Sequence, residues 1–293
     1  MLSSPEQDSK IGSSPDSLPV SGESLTIEQA IANLQGEDPG LRYYAAWWLG
    51  KFRVREPAAI EALIAALDDE DNRTESGGYP LRRNAAVALG KLGDSRAVQP
   101  LIHCLDCSDF YVREKAAQAL GTLAESMGEN TALHTCIPKL MQLLEGGLEA
   151  AQPIPGSPHL AQPYSATMEA LGDLGATEAI PLIEPFLEHP TELVQYSAAR
   201  AMYQLTKNST YGDRLIQALK GDKLQLRRAA LADLGAIGYS SAADAIAQTL
   251  AENSLKLISL KGLLEYQVKN HPPESPHLSD AAIHIMALMD DLL

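Results

Sequence analysis

Three stretches decide the fold: "RYYAAWWLG" at residues 42–50, "RRNAAVALG" at 82–90 and "REKAAQALG" at 113–121. Each reads Arg-x-x-Ala-Ala-x-x-Leu-Gly, and looser copies begin at Tyr164, Gln195, Arg227 and Lys256. Successive anchors stand 40, 31, 51, 31, 32 and 29 residues apart, a period near 31 with two insertions. Self-similarity at such a period is the signature of a helical solenoid, whose units bury their apolar faces only against neighbours. Within a unit, two adjacent alanines let helices approach and Leu fills the seam. The Gly is expected to end the helix as a left-handed cap. A second helix is expected next, as in "SRAVQPLIHCLD" (95–106) and "ATEAIPLIEPFLE" (176–188). Pro100 and Pro181 fall in or near its first turn, where a missing N–H costs little.

The expected fold is therefore all-α, an α-α superhelix of about six to seven such repeats across residues 25–268. Length agrees, because 293 residues exceed the usual size of one core and must divide or repeat. Residues 1–24 hold eight Ser and three Pro with few apolar side chains, and are expected to form a disordered tail. Residues 146–163, "GGLEAAQPIPGSPHLAQP", are a long Pro/Gly-rich excursion, read as either a flexible break in the array or a partner-binding loop. Residues 269–293 are read as a linker and a short amphipathic helix beginning near Ser279.

The charge excludes several functions. With 38 acidic against 23 basic residues and a net charge of -15, the chain repels a phosphate backbone and offers no polybasic stripe to a membrane. Neither nucleic acid nor membrane is an expected partner. No apolar run approaches the roughly 20 residues that span a bilayer, and the start lacks a signal-peptide pattern. Cys104, Cys107 and Cys136 are too few for a secreted disulfide framework, so a cytoplasmic location is expected. Cys104 and Cys107 beside His103 have no second pair of cysteines to complete a zinc site, so no metal is expected.

Four of the 15 aromatic residues lie between positions 43 and 48. At about 100° per residue they cannot share one core stripe. The register of Trp48 holds Ala88, Ala119, Ala170 and Ala201 in later units, so Trp48 and Tyr44 are expected to cover the exposed end of the array. The flank of Tyr43 and Trp47 instead holds Arg83, Glu114, Tyr196, Arg200 and Arg228 elsewhere. A stripe of aromatics and guanidinium groups suits a flat, carboxylate-bearing ligand, with rings to stack and forks for its acids. The insertion "ESGGYP" (75–80) precedes Arg82 and Arg83, and is read as a lip over that groove.

The repeat pattern resembles the short HEAT-like repeat family over residues 38–268. The stretch "GLRYYAAWWLGKFRV" (40–54), the insertion "NRTESGGYPLRRNAAVALGKLGD" (72–94) and "CLDCSDFYVREKAAQALG" (104–121) resemble one family more closely, the E subunits of heterodimeric E/F-type phycobilin lyases. This likeness spans about residues 25–270 and is strongest in the first three repeats. It implies a lyase subunit that, with an F-type partner, attaches phycocyanobilin through a thioether bond to a cysteine of the phycocyanin alpha subunit. The bilin would be substrate, and no separate cofactor is implied. The Arg-Ala-Ala helices would line the concave side. The expected roles are Arg82, Arg83 and Arg113 for the bilin propionates and Tyr43 and Trp47 for packing on its rings, with Tyr196, Arg200 and Arg228 further along the groove. Glu114 is expected to protonate ring nitrogens or relay the thiol proton. A non-catalytic adaptor or bilin chaperone, and the E subunit of a lyase-isomerase, remain as alternatives.

Overall fold

A computed structural model of the chain describes residues 25–128, 130–270 and 277–293. The expected N-terminal tail lies outside the described residues. The described residues form helices and turns, with no strand among them. In chain order the helices are α1 (Ile27–Leu34), α2 (Pro39–Lys51), α3 (Pro57–Ala66), α4 (Pro80–Leu92), α5 (Val98–Cys104), α6 (Phe110–Met127), α7 (Thr131–His134), α8 (Ile137–Gln142) and α9 (Gly147–Ala150). They continue as α10 (Tyr164–Asp173), α11 (Ile180–Ile183), α12 (Glu192–Thr206), α13 (Ser209–Ala218), α14 (Leu224–Ile237), α15 (Ala243–Gln248), α16 (Asn253–Lys269) and α17 (Asp280–Asp290). Pro57, Pro80 and Pro181 occupy first-turn positions, and the side chains of Asp38, Asp109, Asn208 and Ser279 cap their helices.

The helices that carry the repeat motif, α2, α4, α6, α10, α12, α14 and α16, stack directly on one another in a row. Their apolar faces merge into one continuous core running from Ala30 to Ile285. The motif glycine is what permits the stacking, and here one expectation is corrected. Gly50, Gly90, Gly121, Gly172 and Gly235 sit inside their helices and have no positive φ. A Cβ built on Gly50 would lie 2.8 Å from the Ala88 Cα, and one on Gly90 would lie 2.9 Å from the Ala119 Cα. The same contact joins Gly172 to Ala201 at 2.9 Å and Gly235 to Ser259 at 3.0 Å. The residue after Leu is therefore a contact point between successive units. The left-handed caps fall three residues later, at Gly93 (φ 73°) and Gly238 (φ 64°).

The anchor residue of each unit is a second spine. Arg42 donates to the Leu34 carbonyl and pairs with Asp69 at 2.7 Å. Arg82 donates to the carbonyls of Asp69 (2.6 Å) and Asp68 (3.3 Å). Arg113 donates to Cys107 (2.7 Å) and Ser108 (3.1 Å), and across the next turn to Ala161 (2.9 Å). Arg227 bonds Gly221 and Leu250, Gln195 bonds His189, and Lys256 bonds Ala247. These side chains satisfy carbonyls left free at helix ends and stitch neighbouring turns together. Second helices meet their counterparts in neighbouring units much more sparsely than the motif helices do.

Two irregular segments are tied down. In residues 70–79, Thr74 N–H donates to the Gly78 carbonyl (2.9 Å) and Gly78 N–H returns to Thr74 Oγ1 (2.8 Å). Tyr79 closes this loop: it is buried, its hydroxyl reaches Glu70, and the guanidinium groups of Arg82 and Arg73 cover its ring at 4.2 and 5.4 Å. The excursion 146–163 is held at three points. The His189 ring, fully buried, accepts Thr191 N–H at Nδ1, so its Nε2 donates to the Ala151 carbonyl (2.9 Å). His159 stacks on Phe110 at 4.4 Å, and Arg113 grips Ala161. Ser279 caps α17, which packs on α16 and α15.

Candidate functional site

The stripe one position after each anchor, joined by the stripe five positions after it, runs along the row of motif helices. At its N-terminal end, Tyr43 and Trp47 are 46% and 45% exposed on α2. Trp48, one residue on, is half-buried against the core and packs on Phe52 at 4.8 Å. The register argument thus separates the two tryptophans, although Trp48 is covered less fully than the alanines that replace it. The ring pairing differs from the expected flanks: Tyr44 reaches over to stack on Trp47 at 5.5 Å. The result is an open aromatic surface backed by a second ring.

Next along the stripe stands Arg83, held by Asp109 through Nε (2.9 Å) and Nη2 (2.5 Å) and lying over the Tyr111 ring at 4.4 Å. Asp109 also accepts the N–H groups of Tyr79 (2.9 Å) and Tyr111 (2.9 Å). Burial alone would raise its pKa, but these donors and the Arg83 guanidinium hold the carboxyl below the usual range. One buried aspartate therefore caps α6, anchors the insertion and aims Arg83. The Arg83 side chain keeps 29% exposure, and Nη1 makes no contact with Asp109, so one edge of the fork stays available.

Arg82 and Arg113, expected to reach propionates, are directed to turns instead: Arg82 also pairs with the Glu70 carboxylate (2.5 Å), and Arg113 has both terminal nitrogens on carbonyls. Glu114 is 28% exposed beside Lys115 (3.3 Å). Tyr196 is half-buried, and burial raises its pKa. Arg228, near the C-terminal end of the stripe, is 45% exposed and pairs with Glu252. Beyond it, Ala232, Gly235, Leu255, Ile258 and Gly262 line an apolar cleft of about 290 Å³ between α14 and α16.

Arg200 is placed differently from its expectation. Its side chain is only 13% exposed, and its guanidinium meets three carboxylates. They are Asp173 at 3.1 Å, Asp233 at 3.4 Å and Glu169 at 3.6 Å. Ser197 Oγ donates to Glu169 (2.6 Å), and Gln204 Nε2 donates to Asp173 (2.6 Å). Three acids around one cation repel any further carboxylate, so Arg200 as it stands does not offer a fork to a propionate. Burial, then the negative charge of Glu169, pushes Asp233 up to about 7 despite Arg200. Burial also raises Glu169, with Arg200 and Ser197 opposing it.

Sequence reasoning missed Asp109, Asp173 and Asp233. The signal for Asp233 was present: it takes the register of Ala88, Ala119, Ala170 and Ala201, where only Trp48 otherwise departs from a small residue. A carboxylate in a helix-to-helix contact demands a partner, and Arg200 is that partner. The thiols play a quieter part. Cys104, Cys107 and Cys136 are unpaired, and burial pushes Cys104 and Cys136 up to about 12, away from thiolate chemistry.

A family model for HEAT repeats matches residues 27–121, and one for the PBS lyase HEAT-like repeat matches residues 164–189. The chain is 60% identical over 272 residues to the phycocyanobilin lyase subunit alpha of Nostoc sp. (strain PCC 7120 / SAG 25.82 / UTEX 2576), covering 93% of this chain and 95% of that one. The chain belongs to the phycocyanobilin lyase alpha-subunit family. A bilin biosynthesis protein, PecE of Mastigocladus laminosus, is 48% identical over 82% of each chain. The solved complex of CpcE and CpcF of phycocyanin lyase from Nostoc sp. PCC7120 matches at 59% identity with a TM-score of 0.83, over 95% of this chain and 99% of that chain. As a phycocyanobilin lyase alpha-type chain, this protein has the α-α solenoid expected of it, and the departures lie in the site. Among the described residues no helix is long and apolar enough to cross a membrane.

Proposed function

We propose that this chain is one subunit of a cytoplasmic heterodimeric phycobilin lyase that, with an F-type partner, attaches phycocyanobilin by a thioether bond to a cysteine of the phycocyanin alpha subunit. The observation that carries the proposed place of the chemistry is the open surface of Tyr43 and Trp47 in line with Arg83 along the row of motif helices. A linear tetrapyrrole is flat, conjugated and carries two propionates. The two rings supply stacking area. Arg83, on the next motif helix, supplies a cation whose side chain is not enclosed. The addition is redox-neutral, and its difficulty is orientation at one carbon and one face of the chromophore, which a rigid solenoid surface provides. The bilin is substrate, and the chain needs no cofactor of its own. The 60% identity to a phycocyanobilin lyase subunit alpha supports the attachment reading.

The test is co-expression of this chain with bilin-synthesising enzymes and phycocyanin alpha subunit, with and without an F-type partner. Covalent, zinc-fluorescent alpha subunit is expected only when both lyase subunits are present. Equal colour without this chain would leave it an adaptor. The same assay separates two adjacent arginines. Arg83→Lys keeps the charge but loses the planar fork, so bilin affinity of the heterodimer is expected to fall about tenfold, the equivalent of about 1.4 kcal/mol. Arg82→Lys, whose target is the 68–70 turn, should lower the melting temperature and leave bilin affinity near wild type. The reverse pattern would put the bilin on the other side of α4.

A further inference from the structure

The Arg200 cluster stands where the repeat pattern lapses: the α12 unit carries Tyr203 in place of the motif glycine, and α14 carries Asp233 in the register that holds Ala in the four preceding units. Its make-up is also costly. Asp173 and Glu169 from α10 and Asp233 from α14 converge on one guanidinium from α12, which can neutralise only one of them. Buried charges left uncompensated in this way are normally selected against. A second observation shows unused hydrogen-bonding capacity at the same place: Arg200 Nε and Gln204 Oε1 are both buried without a partner. The charged groups facing Glu169 are Glu114 from α6, Asp173, Arg200 and Asp233, with Glu125 of α6 close to Asp173.

The members of the cluster differ in access. The Asp233 side chain is nine-tenths buried, whereas that of Glu169 is 25% exposed and occupies the same stripe as Trp47. From this geometry we infer that Glu169 is the proton-transfer residue of the lyase, with Asp233 as a positioning residue held on the same Arg200 and facing Glu169 across that guanidinium. This inference rests on the lyase reading. In the addition, the thiol S–H bond and the exocyclic double bond of the bilin's ring A break, and one C–S and one C–H bond form. Glu169 gives its carboxyl proton to the chromophore, and the thiol proton replaces it. Nothing is oxidised or reduced, and the cluster ends as it began. Burial and crowding, which raise both carboxyls, suit this exchange, since a proton-transfer group works best with a pKa near the working pH.

The test uses the heterodimer with phycocyanobilin and phycocyanin alpha subunit, comparing wild type, Glu169→Gln and Asp233→Asn. Glu169→Gln keeps an oxygen to accept the Ser197 hydroxyl, so it should fold. Its single-turnover transfer rate is expected to fall about 100-fold, with bilin affinity changed less than about threefold. Asp233→Asn should retain much of the rate but displace the limb of the pH–rate profile that lies near neutrality. Wild-type rate in Glu169→Gln overturns the inference, as does an unmoved pH limb in Asp233→Asn. If Glu169→Gln is slow only in proportion to a lost melting temperature, the cluster is structural and the inference also fails. A wild-type heterodimer that transfers no bilin would instead sink the lyase reading itself, so the two failures are distinguishable.

Discussion

Gly90→Val is expected to cost about 3 kcal/mol, or roughly 6–12 °C in melting temperature for a chain of this size. Even a methyl group at this position would sit 2.9 Å from the Ala119 Cα and 3.0 Å from its Cβ. The obstacle is partly backbone of the neighbouring helix, which cannot rotate away as a long side chain would. The stack must then open between α4 and α6, loosening apolar contacts on both sides. Gly221→Ala is the control, because a Cβ there meets its nearest atom at an ordinary 3.4 Å and lies in a turn. Thermal unfolding of the two variants decides the matter. A wild-type melting curve for Gly90→Val would mean that this glycine is not the contact that sets the spacing of the units.

Arg200→Met should cost about 3–5 kcal/mol at pH 8, since it leaves three carboxylates packed together with their shared cation gone. The loss should shrink as the solution is acidified. Asp233 has a pKa raised to about 7 in the folded chain, above the ordinary carboxylate range of the unfolded one. The folded state therefore binds the extra proton, and its contribution is fully present below the unfolded pKa and lost as pH rises through about 7. Removing Arg200 pushes Asp233 and Glu169 further in the same direction, so neutralisation at pH 5 relieves most of the repulsion. Denaturant unfolding at pH 5 and pH 8 measures both limbs. Equal destabilisation at the two pH values would show that the three acids carry no shared burden.

The solenoid was legible because its determinants are local and repeated. An arginine, two alanines, a leucine and a glycine recur at one spacing in the first three units, and Gly50 and Gly90 make the same helix contact in the structure. The glycine was placed correctly but given the wrong task, since a helix-ending glycine and a helix-contact glycine follow the same Leu and differ only in the neighbour that approaches. That neighbour lies in another repeat, 24 to 38 residues away in the contacts named above. The site was legible in register, not in partnership. Tyr43 and Trp47 are exposed as a 100° step dictates, while Trp48 turns toward the core. Arg83 and Arg200 share one flank by register, yet what each guanidinium does is set by Asp109 and by the three acids of α10 and α14, just as the anchor Arg113 is directed by the carbonyl of Ala161. Those pairings join positions 26 to 48 residues apart, and no local pattern records them.

The bilin is proposed to lie on the stripe at Tyr43 and Trp47, and the two adjacent tryptophans test this most directly. Trp47→Ala and Trp48→Ala remove the same side chain from neighbouring positions of one helix, one open and one packed against the core. Each variant is assayed with its F-type partner for transfer of phycocyanobilin to phycocyanin alpha subunit, and its melting temperature is recorded beside it. Trp47→Ala is expected to lose at least about tenfold in transfer, as for loss of a stacking anchor worth about 1.5 kcal/mol, with little change in melting. Trp48→Ala should lose about 2 kcal/mol of stability, less than a fully buried aromatic because it is only half covered, and transfer near wild type when folded. Trp47→Ala transferring at the wild-type rate, or the two variants losing stability and transfer alike, would contradict the placement of the bilin on this face.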